Sequence, residues 1–204
     1  MNVNTSIYKK VRFSDSNVNS DHFYSILDNL YLSDQIASFN EKLLEKNKIK
    51  HLINLTKSTP FLSKNTKNIY YSFLNDLNFT NEIICKINNL VNDLFVLLSK
   101  KENVLIFCEN GSNQSLIILA CFLMKYYDSE NIINIDSILR FIKWKTKQTI
   151  LKETPNYSLL EQYRAFLLNT NNNINGKKRK IELSEYKKQQ KKGKIISIVR
   201  NHFS

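Results

Sequence analysis

Apolar positions recur along this chain at two different spacings. In TNEIICKINNLVNDLFVLLSKK the residues Ile83, Ile84, Ile87, Leu90, Val91, Leu94, Leu97 and Leu98 fall on one helical face. Thr80 or Asn81 is placed to cap that helix. NVLIFC, residues 103–108, is instead a short unbroken apolar run, the pattern of a strand buried on both faces of a parallel sheet. SLIILACFLMKYY predicts an apolar helix soon after it. Upstream, FYSILDNLYLSD predicts a short strand with Leu30 and Leu32 on one face, and SFNEKLLEKNKI a helix. IKHLINLT reads as a buried strand and NIYYSFL as another. Downstream, Ile132, Ile135, Ile138, Leu139 and Ile142 mark a helix within SENIINIDSILRFIKWKTK. TPNYSLLEQYRAFLLN predicts the last helix, with Pro155 near its first turn. Strands alternating with helices around one central apolar strand predict an α/β fold.

Polarity divides the chain into three parts. Residues 1–22 are polar and rich in Asn and Ser, and read as a flexible arm. Residues 23–169 carry the periodic segments and form the predicted domain. Residues 170–204 are a basic, largely disordered tail. The formal charge is +12 over 204 residues, and the tail's ten basic and two acidic residues supply +8 of it. The domain is therefore nearly balanced. The run GKKRK at 176–180 is similar to a short nuclear-import signal, and KKQQKKGK follows it. Nucleic acid, an acidic partner or an import receptor are the partners such a tail suits.

No apolar run approaches the ~18 residues of a membrane span, and the N-terminus lacks the apolar core of a secretory leader. The expectation is an intracellular protein, nuclear or cytoplasmic, that engages no membrane. Cys85, Cys108 and Cys121 form no CxxC pair, which argues for reduced thiols. His22, His51 and His202 are scattered, so neither a metal site nor a cofactor is expected. The Asn, Lys and Ile bias suggests an AT-rich genome, such as that of a virus or a parasite.

Candidate chemistry sits between the central strand and the apolar helix. The segment runs Cys108-Glu109-Asn110-Gly111-Ser112-Asn113-Gln114-Ser115. Backbone N–H groups of such a turn can converge into an anion-binding nest, and the following helix N-terminus adds partial positive charge. Gly111 permits a left-handed turn or a close backbone approach. The chain contains three glycines, and this is the one that precedes the tail. The plainer alternative is a buried cysteine that packs as a small hydrophobe.

This segment resembles the signature loop of cysteine-dependent protein phosphatases, His-Cys-x-x-Gly-x-x-Arg-Ser/Thr, and the compact dual-specificity branch most of all. The resemblance extends over about residues 23–169. ILDNLYLSDQIASFNEKLLEKNKIKHLINLT is similar to the family's opening segment. ACFLMKYY resembles the helix after its loop, and TPNYSLLEQYRAF its closing Pro-Asn-x-x-Phe-x-x-Gln-Leu helix. The implied fold is a central, mostly parallel twisted sheet flanked by helices. The implied catalytic residues are Cys108 as nucleophile, Ser115 as the hydroxyl that helps the thiolate leave, and an aspartate on a separate loop as proton donor. Asp76 stands where that acid is expected. Glu109, Asn110, Gly111, Ser112, Asn113 and Gln114 would form the phosphate-binding loop.

Two positions depart from the family pattern. Phe107 replaces its histidine, and Gln114 replaces the arginine that grips two phosphate oxygens. Arginine offers a permanently charged planar fork, whereas glutamine offers one neutral amide. The expectation is a pseudophosphatase that holds a phosphorylated protein. A weakly active phosphatase, with Arg140, Lys143 or Lys145 supplying the missing charge, is the first alternative. A structural scaffold with an empty loop is the second.

Overall fold

A computed structural model of the protein describes residues 22–56, 66–70, 81–127 and 134–173. The chain enters through an antiparallel hairpin, β1 (Phe23–Leu27) and β2 (Leu30–Asp34). Two short helices follow, α1 (Gln35–Ser38) and α2 (Glu41–Lys46), then β3 (Ile49–Asn54) and β4 (Lys67–Tyr70). The second half comprises α3 (Asn81–Ser99), β5 (Asn103–Cys108), α4 (Gln114–Tyr126), α5 (Ile135–Thr146) and α6 (Pro155–Asn173). The five strands form one sheet in the order β1-β2-β5-β3-β4, parallel except for the β1–β2 pair.

Several boundaries differ from the sequence expectation. FYSILDNLYLSD is two strands, because Asn29 adopts a left-handed φ of 67° and turns the chain between Leu27 and Leu30. Asparagine tolerates that conformation better than most residues. The helix expected over SFNEKLLEKNKI is confined to Glu41–Lys46, because Asn40 caps it after a separate α1, itself capped by Asp34, has ended at Ser38. Asp34 accepts from the Ala37 N–H at 2.7 Å, and Asn40 from the Leu43 N–H at 3.0 Å. Helix α5 starts at Ile135, capped by Asn134, so Ile132 of the expected face lies outside the described residues. Helix α6 continues to Asn173, four residues past the boundary drawn at 169.

The central position of β5 follows from its composition. Val104 through Cys108 are all buried, with β2 on one edge and β3 on the other. Alternation sends Val104, Ile106 and Cys108 to the large core shared with α3–α6. Leu105 and Phe107 point the other way, into a smaller cluster with Leu44, Ile49 and Leu52. Helix α4 fills the middle of the large core, and every residue from Ser115 to Met124 is buried. A helix apolar on all sides is stable only when wrapped in this way, and α3, α5, α6 and β5 wrap it.

Polar staples fix the end of the sheet remote from Cys108. The Asn29 amide donates to the Lys101 carbonyl and to the Asn103 side chain, and Asn103 in turn donates to the Asn47 carbonyl at 2.6 Å. Val104 N–H donates to the Asn29 carbonyl at 2.8 Å. Beside them, buried His51 meets Glu102 at 2.7 Å. That hydrogen bond, ahead of the opposing effect of desolvation, holds the Glu102 carboxyl below its ordinary 4.5.

Two outcomes follow from this packing. Leu119→Ala, at a fully buried position of α4, should lose about 2–5 kcal/mol in urea denaturation. A carboxyl with a depressed folded pKa adds stability above its unfolded pKa, and that stability is lost as pH falls through the folded value. Glu102→Gln should therefore lower the urea midpoint near pH 6.5, and the gap to wild type should close as pH drops below 4.5.

Candidate phosphate-binding site

The site is built where β5 ends. Strand register pairs Cys108 with Asp34, so the loop leaves the sheet beside the end of β2. Gly111 takes a φ of +67° and lies directly on the β2 backbone. A Cβ at this position would stand 2.9 Å from the Asp34 nitrogen and 3.1 Å from the Ser33 carbonyl carbon. Conformation and space therefore both demand glycine here. A second tie links the Gln35 N–H to the Glu109 carbonyl at 3.3 Å.

The loop brings its two ends together. Cys108 Sγ lies 3.1 Å from Ser115 Oγ, and both residues are buried. Glu109, Asn110, Ser112 and Asn113 are exposed along the rim, and Gln114, the first residue of α4, is half-buried. Asn113 occupies the N-cap position of α4 in a non-helical conformation, but its side chain makes no capping hydrogen bond. Asp34, Asn40 and Asn134, by contrast, cap α1, α2 and α5 with side-chain oxygens. The Asn113 oxygen is occupied by the Asn156 amide from the first turn of α6. Asn113 thus does not cap the first N–H groups of α4, which begin beside the Cys108–Ser115 pair. Backbone N–H groups and the helix dipole at such a terminus can attract an anion.

The charge the loop itself supplies is small. Between Glu109 and Gln114 the one ionisable side chain is acidic. Phe107 is buried on the opposite face of the sheet from Cys108 and packs with Leu105 and Leu52. It offers the loop no side-chain hydrogen bond.

The proposed substitutes for arginine lie on α5. The Lys145 ammonium sits 4.7 Å from the centre of the Trp144 ring, and burial lowers its pKa ahead of the opposing effect of Asp28 in the β1–β2 turn. Arg140 donates to Ser137 Oγ at 2.9 Å. Arg140 and Lys143 line a depression to which no loop residue contributes. Asp76 lies outside the described residues. Among the described residues no cluster of His, Cys, Asp or Glu could hold a metal ion, and no helix is long and apolar enough to cross a membrane.

Two contributors were missed from sequence. One is the Ser33–Asp34 backbone on which Gly111 rests, signalled only by a strand that ends in a helix cap. The other is Asn156, which was visible as the Asn of Thr-Pro-Asn but read there as part of a helix start.

An α/β sandwich with a cysteine-opened, glycine-turned loop before its central helix defines a protein of the cysteine-dependent phosphatase class. The family model for the dual specificity phosphatase catalytic domain matches residues 30–166, and the chain belongs to that family. Similar solved structures agree. Human tyrosine phosphatase-like serine/threonine/tyrosine-interacting protein is 16% identical with a TM-score of 0.62, the match covering 72% of this chain and 99% of that one. A mouse putative dual specificity phosphatase complexed with zinc tungstate is 14% identical with a TM-score of 0.62, covering 78% and 96%. A leucine rich repeat and phosphatase domain containing protein from Entamoeba histolytica is 16% identical with a TM-score of 0.58, covering 74% and 96%. Such identities establish the shared fold. No curated protein sequence matches the chain significantly.

Gly111→Ala should destabilise the protein by more than about 1 kcal/mol in urea denaturation, from positive φ and the overlap with β2 combined. Thiol chemistry gives a second check. Burial pushes the Cys121 thiol well above its ordinary range, whereas Cys85 is exposed. In native protein a thiol reagent should label Cys85 rapidly and leave Cys121 untouched until denaturant is added.

Proposed function

We propose that this chain is a pseudophosphatase. It holds a phosphorylated protein at the Cys108–Ser115 loop and turns it over very slowly or not at all. The observation that carries the reading is the uncapped N-terminus of α4 above a closed Cys108–Ser115 pair, in a loop that has no cation. The N–H groups and dipole supply attraction worth about 0.3–1 kcal/mol for a nearby negative charge. That suits binding. Hydrolysis needs more, because charge shifts onto the phosphoryl oxygens and the leaving oxygen as the bond to phosphorus breaks. Losing one preorganised donor at such a site costs about 2.7–4 kcal/mol, or roughly 100- to 1000-fold in rate. Gln114 replaces a donor that was charged and bidentate, so the cost here is at least that large.

Further support comes from what the loop keeps. Ser115 keeps a hydroxyl 3.1 Å from the thiol, which a scaffold with an abandoned loop would not require, whereas Gly111 is demanded by the fold in either case. One structural neighbour is described as a phosphatase-like interacting protein, and another was solved with tungstate, a tetrahedral oxyanion like phosphate. A nuclear or cytoplasmic location and a tail that contacts acidic partners fit this role.

Aryl-phosphate hydrolysis and oxyanion binding together test the proposal. Wild-type turnover should match Cys108→Ser, and Gln114→Arg should exceed both by about 100-fold or more. Tungstate should raise the melting temperature of wild type saturably, and Gln114→Glu, which places a negative charge in the loop, should abolish that rise. Turnover by wild type well above Cys108→Ser would restore the enzyme reading. An equal tungstate response in Gln114→Glu would mean that the loop binds nothing and the scaffold reading stands.

A further inference from the structure

The outer face of α5 carries a feature that the phosphate site does not use. Arg140 and Lys143 on this helix and Lys152 on the segment leading to α6 line an open depression of about 370 Å³. Buried Leu139 and Ile150 form its floor. Asp136 is the one carboxylate in its lining, and it is already engaged: Lys152 Nζ stands 3.0 Å from one oxygen and the Tyr157 hydroxyl 3.5 Å from the other. Arg140 lies one turn from Asp136 yet pairs with neutral Ser137. Among the described residues neither Arg140 nor Lys143 has an acidic partner. Two uncompensated cations three residues apart on a helix repel one another. A docked anion relieves that repulsion.

We propose that this depression is a docking site for an acidic, Asp/Glu-rich segment of a protein partner. Carboxylates from the partner would pair with Arg140 and Lys143, and its aliphatic stems would cover Leu139 and Ile150. Arginine suits the first of these roles because its fork takes a carboxylate bidentately. A peptide fits better than nucleic acid because glutamate stems can lie on the apolar floor of Leu139 and Ile150, which a phosphate backbone would leave uncovered. The neighbouring Trp144 carries the Lys145 ammonium 4.7 Å from its ring centre, so one ring face is taken from base stacking. The inference does not depend on whether the Cys108 loop binds phosphate.

Trp144 makes the test site-specific. It is the single tryptophan of the chain, is 41% exposed, and adjoins Lys143. Deca-glutamate titrated into the full chain at low salt should shift Trp144 emission saturably, and substitutions at Arg140 and Lys143 separate that response from binding to the basic tail. The double substitution Arg140→Glu/Lys143→Glu should weaken the response at least about tenfold, which corresponds to 1.4 kcal/mol. The milder Arg140→Gln/Lys143→Gln pair should fall between, with an unchanged melting temperature showing that the fold is intact. A response that is absent, or that persists at full strength in both variant pairs, overturns the proposal. So does a deca-thymidylate that binds more tightly than deca-glutamate with the same variant sensitivity, since the surface would then serve nucleic acid.

Discussion

Everything at the candidate site depends on one close approach, that of the Gly111 backbone to the end of β2. The chain leaves β5 at Cys108 and must begin α4 six residues later, above the strand it has just left. A side chain at position 111 would meet the Asp34 nitrogen at 2.9 Å, so the turn closes only because nothing is there. Once it closes, Cys108 and Ser115 meet at 3.1 Å and the first turn of α4 faces the opening. Parallel pairing of β2 with β5 sets this up, since it brings Asp34 level with Cys108. The loop's shape is therefore a property of two strands and a helix together, and it survives the exchange of side chains along its rim.

That independence separates the backbone of the loop from its side-chain chemistry. In the proposed reading anion binding would reside in backbone N–H groups and in the axis of α4, which are insensitive to side-chain identity. The catalytic component resides in side chains, and two of those differ. Phe107 is anchored by Leu105 and Leu52 in the smaller core, where an apolar ring adds burial and a histidine would need a polar partner. Gln114 opens a helix whose remaining turns are buried, so its replacement changes charge without disturbing packing.

Arg140, Lys143, Lys145, Lys147 and Lys152 lie on α5 and the segment after it rather than in the loop. Lys145 lies over the Trp144 ring, and Arg140, Lys143 and Lys152 gather around the floor made by Leu139 and Ile150. In a family defined by a cation inside its loop, this chain presents cations on an outer face. Recognition through a surface and recognition through a loop are separate energetic problems, and no side chain from Glu109 to Gln114 is cationic.

The central strand, the wrapped helix and the loop were legible in the sequence because each rests on a local pattern. NVLIFC has no polar face, Ser115–Met124 has no exposed one, and a single glycine stands between them. Residue types also sufficed to flag Gln114 and Phe107 against the motif. Local pattern could not reveal that LDNL turns a hairpin, because that depends on one asparagine entering the left-handed region and bonding to Lys101 and Asn103, more than seventy residues away. Nor could it reveal that Asn156 engages the Asn113 side chain at the start of α4, or that Arg140 and Lys143 line a depression to which the loop does not contribute. Those facts arise from contacts between elements distant in the chain, and only packing decides them. What the sequence by itself determined was which segments must be buried and which chemistry was present or missing. Tertiary structure decided which side chains meet, because distance in space is set by strand order and helix packing rather than by position along the chain.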